Sequence, residues 1–189
     1  MLKKIRSLVS NSNFIETYDN TLSQKECDII LSQFEASPQL TGVTSKGYRP
    51  HRKKCVELRP KFSEGDQVSN ILYEALILPI EKYKKKHECV NHISHWKIDD
   101  DYNIKKYELE DDGYKGWHTE QGPGEFSKRV LVWMIYLNNA KSGTDFMNYP
   151  TISSKMGRCV LWPSSFTHVH RSHSNKGLKY IASGWMSFT

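Results

Sequence analysis

His118 and Glu120 stand two residues apart in the run Y-K-G-W-H-T-E-Q-G, and His170 lies fifty positions beyond Glu120 in F-T-H-V-H-R-S-H. Two imidazole nitrogens and one carboxylate oxygen can fill one face of an octahedral metal and leave the other face open. That arrangement suits Fe(II) that must bind an organic cosubstrate and O₂ together. On an extended segment, side chains two residues apart point the same way, so His118 and Glu120 can grip one ion from one strand end. His170 then has to come from a facing sheet. An H-x-E pair alone is weak, because each histidine taken singly reads equally well as an ordinary surface residue of a basic chain.

The elements around these residues decide between the two readings. From Trp96 onward the chain is built of short β-branched or aromatic runs: 95–98, 102–109, 130–137, 146–149, 158–162 and 179–185. Turn signals separate them, among them Asp112-Gly113, Gly122-Pro123-Gly124 and Lys141-Ser142-Gly143, a spacing that points to an antiparallel sandwich or jelly roll. Upstream, 13–18 reads as a strand. Ser23 with Glu26 offers a capping box for a helix over 24–36, which Ser37-Pro38 ends. A second helix is expected from Asp66 to about Lys86, with a kink or break at Pro79. C-V-E-L at 55–58 reads as a strand. The basic stretch 49–54 reads either as a solvated loop or as a lid facing substrate. Cys89, His92 and His95 stand at three-residue steps, but a zinc site needs four facing ligands and no second pair is evident.

At 189 residues, with 38% hydrophobic and 25% charged residues, the chain fits one globular domain, 1–189. Its helical support is expected over about 1–95 and its β-core over about 96–189. Lys and Arg number 27 against 21 Asp and Glu, a net charge of +6 that is more often solubility than nucleic-acid binding. The basic start M-L-K-K-I-R-S-L-V-S lacks a long apolar stretch, and no run reaches membrane-spanning length. The four cysteines, Cys27, Cys55, Cys89 and Cys159, show no paired spacing, as expected of reduced thiols. The expectation is a cytoplasmic protein with no membrane partner.

Lys179 follows His170 by nine positions and opens K-Y-I-A-S-G-W; R-V-L-V-W-M-I-Y-L-N, S-G-T-D-F and G-R-C-V-L-W-P-S precede it in that order. This ordered set over roughly 102–187 resembles the 2-oxoglutarate/Fe(II) dioxygenases, in particular their prolyl-4-hydroxylase-like branch. Where that family more often has Asp, this chain has Glu120, one methylene longer. The resemblance implies a mainly β fold with flanking α-helices, a double-stranded β-helix (jelly roll) core supported by N-terminal helices. It implies His118, Glu120 and His170 as the metal ligands, with the spacing to Lys179 selecting His170 over its neighbour His168. His168 is then expected beside the site and His173 exposed. Lys179 would pair with the far carboxylate of 2-oxoglutarate, Tyr136 would hydrogen-bond it, and Tyr107 and Thr144 would line the same pocket. Trp185 would close an apolar wall, and Trp117 would flank the first ligand.

The implied cofactors are Fe(II), 2-oxoglutarate as cosubstrate and O₂, with ascorbate as an accessory reductant. The implied reaction yields succinate, CO₂ and an alcohol, on a peptide or protein substrate with peptidyl proline first. The same chemistry on a small molecule or a methylated nucleobase stays open, and the basic stretch 49–54 keeps nucleic acid among the partners. A different class, a non-catalytic cupin-like protein that binds a metal or ligand, stays open as well.

Overall fold

A computed structural model describes residues 13–44, 46–110, 112–174 and 176–189. The basic start of the chain (1–10) lies outside the described residues. Among the described residues two α-helices, α1 (Gln24–Ala36) and α2 (Gln67–Lys86), accompany twelve strands. The strands are β1 (Glu16–Tyr18), β2 (Leu40–Thr41), β3 (Lys53–Lys54), β4 (Val56–Leu58), β5 (Trp96–Tyr107), β6 (Gly113–Tyr114), β7 (Arg129–Tyr136), β8 (Gly143–Phe146), β9 (Tyr149–Ser153), β10 (Cys159–Pro163), β11 (His170–Ser172) and β12 (Lys179–Phe188).

The large sheet has the order β1-β10-β7-β12-β5-β4-β2, a smaller one the order β11-β8-β9, and β3 pairs with β6. Every strand pair is antiparallel. The result is mostly β and jelly-roll-like, with both helices in the N-terminal half.

Strand β7 shows why this sheet forms. Its run R-V-L-V-W-M-I-Y is apolar at nearly every position because both faces are covered. Leu131, Trp133 and Ile135 point into one apolar cluster, which also holds Ile30 and Phe34 of α1 and Leu72, Leu76 and Tyr83 of α2. Val132, Met134 and Tyr136 point into a second cluster with Phe146, Val160 and Trp162. Each fully buried Leu, Ile or Phe contributes roughly 1.5–3 kcal/mol, so the helix-covered face carries much of the stability.

Helix α1 starts as expected. Ser23 N donates to Glu26 Oε2 at 2.7 Å, and Glu26 N donates to Ser23 Oγ at 3.3 Å. Helix α2 is capped by Asp66, which accepts from Ser69 N at 2.9 Å. It does not break at Pro79, which is buried inside a continuous helix of 20 residues. Tertiary packing of the surrounding turns overrides the lost hydrogen bond there.

Other boundaries also differ from the expected ones. The runs 95–98 and 102–109 fall on one strand, β5, which ends at Tyr107; the polar D-D-D between them bulges from β12, whose Gly184 pairs with Tyr102 and Met186 with Ile98. The run 146–149 is not a strand; it spans the turn between β8 and β9. The stretch 49–54 ends in β3, whose Lys53 pairs with Tyr114 of β6. Among the described residues no helix is long and apolar enough to cross a membrane.

Candidate metal centre

His118 and His170 are brought together by backbone before any side chain acts. His118 N donates to His170 O at 3.0 Å, and His170 N donates to His118 O at 2.9 Å. The reciprocal pair extends the small sheet by one bridge beyond β11. The histidines are therefore neighbours on one ladder rather than partners across two sheets, as strand parity alone suggests. Glu120 follows two residues later, and its N–H donates to Ser164 O at 3.2 Å, just after β10.

The side chains converge. Glu120 Oε1 lies 3.5 Å from His118 Nε2 and 3.6 Å from His170 Nε2. The three prospective ligand atoms all lie within 4.8 Å of one another, and these residues form the only such group among the described residues. Cys89, His92 and His95 form none.

The other ring nitrogens fix the tautomers. His118 Nδ1 donates to Gly116 O at 2.9 Å, and His170 Nδ1 donates to His168 O at 2.9 Å. A carbonyl can only accept, so both Nδ1 atoms carry hydrogen, and the neutral form of each ring presents a lone pair at Nε2. Three acceptors thus face one point, and only a cation there satisfies all three. Burial pushes the His118 imidazole further toward its neutral form. Burial also disfavours the Glu120 charge, but hydrogen bonds and charge from the facing imidazoles in their protonated form more than offset it and hold this carboxyl well below the usual carboxylate range. The donor set fits a divalent metal with N₂O ligation.

Packing holds the rings in place. Tyr114 stacks on His118 with centroids 3.6 Å apart, and Trp162 meets His170 edge-on at 5.1 Å. The second carboxylate oxygen of Glu120 is also tied. Trp185 Nε1 donates to Oε2 at 2.9 Å, and Arg129 Nη1 donates to it at 3.3 Å. The Arg129 guanidinium lies 3.6 Å over the Trp185 ring. Trp185 is therefore a polar clamp on the carboxylate rather than an apolar wall.

The cavity continues from the three ligand residues to Lys179, past Tyr107, Tyr136 and Thr144. Lys179 is 2% exposed, and its Nζ donates to Ser142 Oγ at 3.0 Å. It sits 4.7 Å over the Tyr107 ring. Desolvation lowers its pKa from 10.5 to about 8, against a small opposing pull from Asp145. Tyr136 does not face Lys179 with an idle hydroxyl. It donates to Ile152 O at 3.2 Å and shares a 2.8 Å hydrogen bond with Thr144 Oγ1. All seven expected site residues line this one cavity.

The neighbouring residues divide. His168 has its ring turned away: its Nε2 donates to Asn13 O at 2.7 Å, and only its carbonyl serves the site. His173 is exposed and bonds Asp145 at 2.8 Å. Trp117 packs under Arg171 at 4.4 Å. Three cavity residues carried no clear sequence signal: Tyr114, Ser183 and Lys105. Lys105 shares strand parity with Tyr107, which is the one hint available.

Residues 102–187 match the family model described as 2OG-Fe(II) oxygenase superfamily. Solved structures share the fold at low identity. A viral collagen prolyl hydroxylase of Paramecium Bursaria Chlorella virus-1 is 18% identical, with TM-score 0.69, over 96% of this chain and 99% of that one. A prolyl hydroxylase of Trichoplax adhaerens, solved with a hypoxia inducible factor oxygen degradation domain peptide, is 15% identical, with TM-score 0.72, over 94% and 84%. A prolyl-4-hydroxylase of Pseudomonas putida is 11% identical, with TM-score 0.70, over all of both chains. A comparison with curated protein sequences finds no match.

Proposed function

Residues 102–187 belong to the 2OG-Fe(II) oxygenase superfamily, whose chemistry requires Fe(II), 2-oxoglutarate and O₂, and from that premise we propose that the protein hydroxylates a peptidyl proline. The observation that carries the reading is the acceptor triad of His118, Glu120 and His170, with both Nδ1 atoms committed to backbone carbonyls. Support for proline comes from neighbours of shared fold that act on prolyl residues by their names.

The chain's own residues divide the work. His118, Glu120 and His170 would hold the metal with the Nε2, Oε1 and Nε2 atoms that converge on one point. Arg129 and Trp185 occupy the second oxygen of Glu120 and leave Oε1 turned toward the imidazoles. Lys179 is charged below pH 8 and desolvated, and it takes the far carboxylate of 2-oxoglutarate, relieving the cost of its own burial. Tyr107, Tyr136 and Thr144 shape the wall along which the cosubstrate lies. Fe(II) with 2-oxoglutarate and O₂, when bound, supplies the oxidant for a substrate C–H and releases succinate and CO₂. Walls of Val132, Met134 and Ile181 exclude water from that end of the cavity. The four cysteines are free thiols, three of them buried, which fits work in the reducing cytoplasm.

The test combines purified protein with Fe(II), 2-oxoglutarate and a library of proline-containing peptides. Succinate formation together with a one-oxygen mass gain on proline is the expected result. Succinate formation with no prolyl product would retain the dioxygenase and remove proline. No succinate and no 2-oxoglutarate binding would remove both.

A further inference from the structure

Lys105 is a second lysine in the cavity, and the reaction as described gives it no task. It lies on β5 across from Ile181 of β12, and its Nζ donates to Ser183 Oγ at 3.0 Å. It lines both the metal cavity and an adjoining groove that also holds Lys53, Glu57, Arg59 and Arg129. Neither nearby carboxylate is free to pair with it. Glu57 is bonded by Lys53 at 2.6 Å and by Arg59. Glu120 is committed to the two imidazoles, Arg129 and Trp185. Among the described residues Lys105 makes no ion pair, and burial and the repulsion of Lys53 lower its pKa against the weaker opposing pull of Glu120 and Glu57.

Its place along the strands separates it from Lys179. One face of β12 presents Lys179, Ile181, Ser183 and Trp185 in turn. Trp185 touches Glu120 and Ser183 touches Lys105, so Lys105 belongs to the metal end of the cavity. Lys179 is four residues before Ser183, on the order of 13 Å along the strand. A diacid that spans from the metal to Lys179 leaves Lys105 beside the metal, facing the groove through which substrate would enter.

We propose that Lys105 is a specificity-determining residue that binds a carboxylate of the substrate next to the C–H being oxidised. The proposal rests on the dioxygenase reading above and narrows its substrate class from a proline peptide to one bearing an anionic group beside the proline. That carboxylate comes from an acidic side chain or from a free C-terminus. An ammonium that is desolvated, short of a counter-charge and held by one hydroxyl gains most from such a partner. Lys53, Arg59 and Arg129 are paired with Glu57 and Glu120, and Asp101 also lines the groove, which among the described residues leaves Lys105 as its unpaired cation.

The experiment measures binding rather than turnover. Full-length protein loaded with Fe(II) and 2-oxoglutarate under anaerobic conditions is titrated calorimetrically with four probes. They are acetyl-Gly-Pro-Asp-Gly-amide, its Asn twin, acetyl-Gly-Pro with a free C-terminus, and the amide of that dipeptide. The wild type is expected to bind one of the two acids about tenfold more tightly than its neutral twin. Whichever acid is preferred identifies the source of the carboxylate. Lys105→Met should erase the preference, while Lys105→Arg retains most of it and the Kd for 2-oxoglutarate stays within about twofold in both. Equal affinities in the wild type, a preference that survives in Lys105→Met, or failure of both acids to bind overturns the proposal. So does a Lys105→Met variant whose main defect is in 2-oxoglutarate binding. Wild-type succinate formation without peptide, measured in parallel, separates the two failures: its presence keeps the dioxygenase reading when the peptide result is negative.

Discussion

Glu120 touches more of the site than any other residue, since one oxygen faces two imidazoles and the other meets Trp185 and Arg129. Shortening it by one methylene in Glu120→Asp cannot keep both sets of contacts, so metal affinity should fall while remaining measurable by calorimetry. His118→Ala and His170→Ala each delete a ligand and should abolish stoichiometric Fe(II) binding. His168→Ala should leave it intact, because that ring holds Asn13 O and only its carbonyl serves the site. Lys179 gives a pH dependence with a definite sign. Its pKa is about 8 in the folded, ligand-free protein and near 10.5 when exposed. Between those values the unfolded chain binds more protons, so stability rises with pH across this window, by roughly 3 kcal/mol if the whole shift is realised. Urea denaturation should show that rise in the wild type and not in Lys179→Met. In the same window 2-oxoglutarate affinity should fall as the lysine discharges, and Lys179→Arg should remove that dependence. Fluorescence titration at pH 7 and pH 9 checks it.

The small sheet β11-β8-β9 shows how elements set the limits of the site. Gly143 on β8 lies so close to β9 that a Cβ there would stand 2.2 Å from Ile152 O. Backbone cannot swing aside as a side chain can, so Gly143→Ala should push the two strands apart. The expected cost is about 1–3 kcal/mol, read as a fall in Tm, with looser 2-oxoglutarate binding because Thr144 and Ile152 hold Tyr136. This sheet was also the least legible part of the sequence. β11 is three residues long and β9 is interrupted in pattern by Pro150, so neither repeats often enough to reveal a period of two. By contrast β7, β10 and β12 are long apolar runs bounded by turns, and they were readable at once. The ligand residues were legible because their chemistry is carried by type and spacing. Lys105 was not, because a lysine in a strand reads as solvated until the opposing strand is known. The tie between Trp185 and Glu120 was hidden for the same reason, since 65 positions separate the two partners.

At the scale of the whole molecule, the ladder that joins His118 and His170 is built of backbone hydrogen bonds, which do not depend on their side chains. Metal binding therefore has little folding to do, unlike a site whose ligands come from floppy loops. Chelation with EDTA should leave the far-ultraviolet circular dichroism unchanged and the melt cooperative, with Tm lowered only by the lost ligand-binding term. Collapse of the spectrum on chelation would show instead that the metal organises the fold. The large sheet separates two tasks as well. One face packs the helices α1 and α2 into a continuous apolar cluster, and the other lines the reaction cavity. Residues at the mouth, such as Lys53, Lys105 and Arg129, contribute nothing to the helix-covered cluster. Descendants of this chain can thus exchange the groove's side chains and try new substrates while inheriting an intact scaffold, so diversification of what the enzyme recognises is decoupled from the risk of losing the fold.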